Sequence, residues 1–487
     1  MADDPSMIVF GSGLLLTSLI FLGTWPALLR LSSTPPTPSS KVPIIRCWCY
    51  SFFTCDNDNN HRHHRRDARF AYLDYAFAYV ISSSIPLVIS LWMMDTTSSL
   101  DDDEEDSDGE NNNNTVLPQQ FPLILFALIG GSLLSMGNIS MQWSVTVFGA
   151  PLTTVLAIQA SLTVTLGTSI NYILQPEKTS HPNLLFVGVL VFLIAIVLAT
   201  RAHLLYGHDQ QKKQEKYGLD QKSILGIEMN EEPHASYGSL ESTDSLESST
   251  ESSSLGKRDS PILIIGRDDN MVSLNQVGNN DYTTSASSPS HSPRMALQVA
   301  IFGGCCFGFF SPAFNVAVND PFHMTATLQT NGSQPYLRPL SVPIANLWFS
   351  VAFTIASFLG NIPLMYYPPS KMSSSDIDDN CASPLLLPRV TLTEYVYGCE
   401  SFSERKLAIY SGLLCGIANL LQFQGGNIVG FATADLVQAY PLVSTIWDIV
   451  LFGEYRNAGR TVIFYLTAMY VMYTCGIGFL ISSADEG

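Results

Sequence analysis

Charge is what this chain has least of: Asp, Glu, Lys and Arg make up 14% of its 487 residues, against 46% hydrophobic. A soluble protein carries about a quarter charged residues, so a water-soluble globule gives way to a membrane protein as the first reading. Basic residues are the scarcer sign, 24 against 42 acids. They form no stripe, which argues against a nucleic-acid partner. The formal charge of -18 asks for no basic partner either, because the acids gather where a bilayer cannot be; Asp101 to Glu110 alone holds eight of them. The nine cysteines lack an even framework, so no disulfide scaffold is expected. No nucleophile, base and oxyanion donor occur together, so neither an enzyme nor a cofactor is expected. A basic secretory start is also missing. The run from Ile8 to Leu29 follows acidic residues and is too long for a signal core, so it is expected to remain as a helix.

What the chain has is long apolar runs, each able to cross about 30 Å of hydrocarbon. Ten are expected, near 8–29, 70–93, 121–144, 150–174, 183–204, 294–317, 344–367, 407–428, 431–453 and 461–482. The segment between the fifth and sixth is rich in Ser, Glu, Asp and Asn and cannot bury enough apolar surface to order itself. The domain plan is therefore 1–204, a disordered loop at 205–293, and 294–487. The loops after spans one, five, seven and nine, with their flanks, hold 22 of the 24 Lys and Arg. Basic loops stay in the cytoplasm, so both termini are expected outside and the central loop inside. The sequons at Asn113 and Asn331 fall in loops placed outside, as glycosylation requires. Cys47, Cys49 and Cys55, followed by His61, His63 and His64, have the residue types of a zinc site at a spacing that matches no standard finger. Palmitoylation and contact with anionic lipid fit them as well, and no metal site is assigned.

An internal echo gives the architecture. Gly131, Leu133, Asn138 and Gly149 recur as Gly412, Leu414, Asn419 and Gly430, at a constant offset of 281 residues. Gly23-Thr-Trp-Pro-Ala27 resembles Gly308-Phe-Phe-Ser-Pro-Ala313 in the corresponding spans. Five spans per repeat is odd, so the second copy enters the membrane inverted. That is the plan of secondary transporters, with substrate held between the repeats. The fold class expected is all-α, a polytopic membrane protein of ten transmembrane helices in two inverted five-helix repeats, one half rocking against the other.

These motifs resemble the ureide permease family of the drug/metabolite transporter superfamily. Phe21 to Leu29, Tyr72 to Tyr75, Leu134 to Ser140, Ser311 to Asp320, Leu421 to Gly426 and Ala434 to Arg456 look like its helices, in order, across both halves. The resemblance implies transport of ureides such as allantoin and of nucleobases such as uracil and xanthine, coupled to protons. It implies the plasma membrane as location, with an endomembrane as the alternative. Some members carry a phosphate-loop-like motif in the central loop. Ser254 to Ser260 has a Gly-Lys pair without the preceding glycine, so nucleotide binding is not expected.

Candidate site residues follow from substrate chemistry. Ureides and oxo-purines set N–H donors beside C=O acceptors, and a carboxamide offers both partners in one group. Asn138 and Gln142 share one helical face, Asn419 and Gln422 another; Gln438, Trp25 and Tyr440 complete the expected substrate set, the two aromatics as surfaces for a planar ring. The alternative use of such amides is helix-to-helix hydrogen bonding. Desolvation favours a neutral acid over a carboxylate, which suits Asp435, and in second rank Asp448, to coupling a proton; for Asp435 the alternative is a helix cap. A sugar carrier and a non-transporting scaffold built on the Ser-rich loop are the competing functions. Deleting residues 218–290 separates the last from the rest: under the transport reading, uptake of labelled substrate persists at close to the full-length rate, whereas a scaffold loses its function.

Overall fold

The computed structural model describes residues 5–33, 68–98, 120–144, 148, 152–224, 293–324, 339–366, 390–397, 402–456 and 458–484. Asn113, Asn331, Gly149, the cluster from Cys47 to His64 and most of the central loop lie outside these residues. The chain forms two compact units, Met1–Lys212 with Pro289–Gly487, and Lys213–Ser288. The second is described only where a helix enters it; the helical bundle is the first.

The described residues are all-helical, without strands. In order they form α1 (Pro5–Ser33), α2 (Ala68–Ser98), α3 (Phe121–Gln142), α4 (Leu152–Leu174), α5 (Pro182–Ile224), α6 (Pro293–Asn319), α7 (Val342–Tyr366), the short α8 (Leu392–Tyr397), α9 (Phe402–Val429), the one-turn α10 (Phe431–Ala434), α11 (Tyr440–Leu451) and α12 (Arg460–Ala484). Seven of them, α1, α3, α5, α6, α7, α9 and α12, are long and apolar enough to cross a membrane. Helices α2 and α4 occupy two more of the expected spans. Val9, Ile173, Leu359 and Phe464 are each more than 65% exposed on outward faces, a surface that suits hydrocarbon rather than water. Helix α5 runs on to Ile224, past the expected end at 204.

The ninth expected span, 431–453, is not one helix. Gly430 adopts φ 96° and ψ 139°, a region open essentially to glycine alone, and ends α9. One turn of α10 leads into a 3-10 segment, Asp435–Ala439, and α11 then begins at Tyr440. A continuous span would have Pro441 free a carbonyl in its interior. It lies instead in the first turn of α11, where a missing N–H breaks no bond. Pro26 and Pro312 are, as expected, inside α1 and α6.

Packing pairs helices that are far apart in the chain. Helix α9 lies against α1 and α2; α6 lies against α3 and α4; α7 lies against α3 and α2; α11 lies against α1. The Phe192 ring of α5 meets Tyr473 of α12 at 5.6 Å. The repeated glycines explain two of these approaches. A Cβ on Gly131 would stand 1.9 Å from the Phe349 carbonyl oxygen of α7, and one on Gly412 would stand 2.2 Å from the Tyr75 carbonyl oxygen of α2. The same residue type thus permits backbone contact at equivalent places in the two halves, the use small residues have between membrane helices. Between these pairs is an aromatic core in which Phe423 of α9 stacks on Phe314 of α6, centroids 3.6 Å apart, with Phe349 at 5.1 Å from Phe423.

Gly131→Ala and Gly412→Ala are each expected to destabilise the protein by about 1–3 kcal/mol, read as a lowered melting temperature in detergent. Gly13→Ala, where nothing lies within 4 Å of the added carbon, is the control and should be neutral.

Candidate functional site

Two buried polar clusters flank the aromatic core. The first forms where the broken segment meets α4 and α6. Asp435, the first residue of the 3-10 segment, is 1% exposed. Its Oδ2 accepts from Asn171 Nδ2 of α4 at 3.4 Å, and no cation pairs with it among the described residues. Gly167, one turn earlier on α4, leaves room for the carboxyl, since a Cβ there would come within 3.2 Å of Oδ2. The Asn171 amide also donates to Ser311 Oγ of α6 at 3.0 Å and reaches the Phe431 carbonyl oxygen at 3.5 Å. The amide therefore reaches both the backbone and the carboxyl of the broken segment. Asn171 Oδ1 accepts from Asn315 at 3.2 Å, and Asn315 Oδ1 accepts from Asn319 at 2.8 Å. One line of amides therefore runs from the end of α6 inward to the carboxyl.

The second cluster lies among α1, α2 and α9. Asn419 donates to the Tyr79 hydroxyl at 2.8 Å, and Tyr75 donates to Cys415 Sγ at 3.0 Å. Trp25 lies against the Tyr75 ring at 5.1 Å. One turn along α9 from Asn419, Gln422 is 1% exposed, and neither its carbonyl oxygen nor its amide nitrogen has a hydrogen-bond partner among the described residues. A buried amide left unpaired costs about 1–3 kcal/mol per group, so Gln422 is the amide in this cluster placed to gain most from a ligand. From this cluster a polar seam continues between α2 and α7: Tyr72 with Ser357 at 3.3 Å, Thr354 to the Ala76 carbonyl at 3.0 Å, and Ser350 to Ser83 at 2.6 Å.

The expected residues are distributed unevenly over these clusters. Asp435 and Gln438, both buried, are three apart in a 3-10 segment, where residues at that spacing eclipse. The Oδ2 of Asp435 accepts from Asn171 and its Oδ1 has no partner among the described residues, so the carboxyl is held by Asn171 rather than used as a cap. Asn419, Gln422 and Trp25 come together. Asn138 is buried on α3, and the bonds of Asn419 go to Tyr79 and Cys415. Gln142, half-buried, is in the last turn of α3. Tyr440 is half-buried at the start of α11, and its carbonyl lies 2.9 Å from where a Gly23 Cβ would be. Asp448 is half-buried near the far end of α11, about 20 Å from Asp435 at the helical rise. Phe423 is fully buried in the aromatic core rather than open to a ligand ring. The Phe-Gly-Glu-Tyr-Arg turn is tied to α5 by Tyr455, whose hydroxyl meets the His203 ring and whose ring lies 4.6 Å from Tyr206.

Asn171, Ser311, Asn315, Tyr75 and Tyr79 belong to the site without standing out as site residues in the sequence. Asn315 and Asn319 carry a signal, two amides four apart in an apolar run, and Asn171 stands alone in another. Nothing local shows that they converge on Asp435.

A helical bundle with lipid-suited faces, a broken span and buried carboxyl and amide groups along it defines a polytopic membrane protein of the permease kind. The ureide permease family model matches residues 71–483, and the chain belongs to that family. Ureide permease 1 of Arabidopsis thaliana is 29% identical over 478 residues, covering 97% of this chain and 96% of its own length. Ureide permease 4 of the same plant is 29% identical over 482 residues, 97% of each chain. Probable ureide permease A3 of Vigna unguiculata is 31% identical over 348 residues, 70% of this chain and 78% of its own. No solved structure matches.

Asn171→Leu strips the carboxyl, a carbonyl and two polar side chains of a partner at once. It should lower stability by about 1–3 kcal/mol, seen as an earlier thermal transition in detergent. Asn319→Ala, at the half-buried end of the line, should cost less than about 1 kcal/mol in the same scan.

Proposed function

We propose that the protein is a secondary active transporter of ureides such as allantoin and of oxo-heterocycles such as uracil and xanthine, coupled to protons and working by alternating access. The observation that carries this is the Asp435–Asn171 contact. It lies where two groups of helices meet: α1, α2, α9 and the broken segment on one side, α3, α4, α6 and α7 on the other. An ionised carboxylate without a counter-charge is costly to bury. Taking up a proton removes that cost and alters the bond to Asn171, so protonation and the fit between the two groups are linked. The break beside Asp435 is of the kind that transporters place at their binding sites.

The architecture behind this reading is ten spans in two inverted repeats, with α2, α4 and the broken segment as the second, fourth and ninth. Its support is the packing itself. Exchange each span for the one five later, and the pairs one with eight, three with seven and four with six become six with three, eight with two and nine with one, all of which are found. On this reading each half-bundle that rocks is one of the two mixed groups, with spans from both repeats. Substrate binds from Gln422 and Asn419, with Trp25, Tyr440 and Gln438 beside them and Asn138 and Gln142 on the facing group. Asp448 is held in second rank for the proton. The protein resides in the plasma membrane with both termini outside, the central loop cytoplasmic and Asn113 and Asn331 glycosylated.

Cells expressing the protein are expected to take up labelled allantoin or uracil faster as external pH falls, with no competition from sugars. Asp435→Asn should abolish the pH dependence while permitting exchange of internal for external substrate. Absence of uptake of every oxo-heterocycle by correctly targeted protein would overturn the substrate assignment, and an unchanged pH profile in Asp435→Asn would move the proton elsewhere.

A further inference from the structure

One buried amide lies apart from both clusters. Gln159 of α4 is 2% exposed, and neither its carbonyl oxygen nor its amide nitrogen has a hydrogen-bond partner among the described residues. It packs directly against the α6 backbone where glycine admits it: a Cβ on Gly303 would come within 2.3 Å of Gln159 Nε2 and 2.8 Å of Ser140 Cβ on α3. One turn on from Ser140, the Trp143 indole N–H is also buried without a partner. There α3 leaves its regular winding, the Phe148 N–H bonding to the Trp143 carbonyl five residues back at 3.1 Å, a widened turn of the sort common at functional sites. A helix-to-helix hydrogen bond is the ordinary use of a membrane glutamine, and Gln159 makes none.

We propose that Gln159 is a second recognition station for a small molecule that carries adjacent N–H and C=O groups, such as a ureido or lactam edge. This rests on the transport reading above. The amide offers an acceptor and a donor side by side, which complements that edge. Gln159 and Asn171 are both on α4, twelve residues apart, which is about 18 Å along a helix. The station at Gln159 therefore belongs to the membrane face from which α4 starts, and Asp435 to the opposite face. Substrate would be gripped near Gln159 when the protein opens to that first face, and exchanged there without direct contact with the coupling carboxyl.

The test uses the full chain in right-side-out and inside-out vesicles, with labelled allantoin and uracil as probes, and reads the half-saturating concentration at each face. Gln159→Leu is expected to raise it at least tenfold at the face where α4 begins and less than twofold at the other. Gly303→Ala, which fills the space beside the amide, should shift the same face, and it replaces the first variant if that one fails to accumulate. An equal change at both faces, or none at either, overturns the proposal while leaving transport standing. Failure of the unmodified protein to move either probe overturns the transport reading, and this one with it.

Discussion

Everything in this bundle answers to one constraint: inside hydrocarbon a polar group finds its partner in the protein or bears the full cost of desolvation. The chain breaks its ninth span at Gly430 and unwinds to a 3-10 segment through Ala439, and the Asn171 amide reaches the Phe431 carbonyl within the break. The same amide holds Asp435 and is itself held by Asn315. Removing any member of this set exposes the others to the same requirement. The line of amides from Asn319 to Asp435 is thus a structural condition for keeping a carboxyl at depth as well as a functional arrangement.

The constraint also sorts the amides into two kinds. Asn419 and Asn171 have protein partners and hold helices together. Gln422 and Gln159 are as deeply buried and have none among the described residues. Both uses open to such residues, packing bond and ligand site, therefore have candidates in one molecule, at different positions. Proximity in the chain does not tell them apart, since Asn419 and Gln422 are one turn from each other.

The helical class, seven apolar helices of membrane length, the family and the glycine echo are legible in the chain, because each follows from composition or from a spacing of residues. Gly131 and Gly412 share a job that their repetition implies. The break at Gly430 is less legible: the segment after it is apolar enough to read as one span, and only the glycine dihedral and the 3-10 winding reveal the interruption. The convergence of Asn171, Ser311 and Asn315 on Asp435 is not legible at all. It depends on how α4, α6 and the broken segment pack, and those residues are up to 264 positions apart. The partners of Asn419, Tyr79 and Cys415, are equally hidden, because Tyr79 comes from a helix 340 positions away and the repeat says nothing of it.

Helix α1 leans on α9, and the bond that joins them, from Ser18 to the Ala418 carbonyl, spans 400 residues. At the usual pace of synthesis, about 5–20 residues per second, the first helix waits on the order of a minute for the one it belongs with. Gly131 waits for Phe349 and Asn171 for Asp435 in the same way. The newborn first half therefore sits in the bilayer with its small-residue faces and amides turned to lipid or to provisional neighbours. Assembly of this protein is a matter of timing, in which half the chain must be kept from settling until the other half arrives.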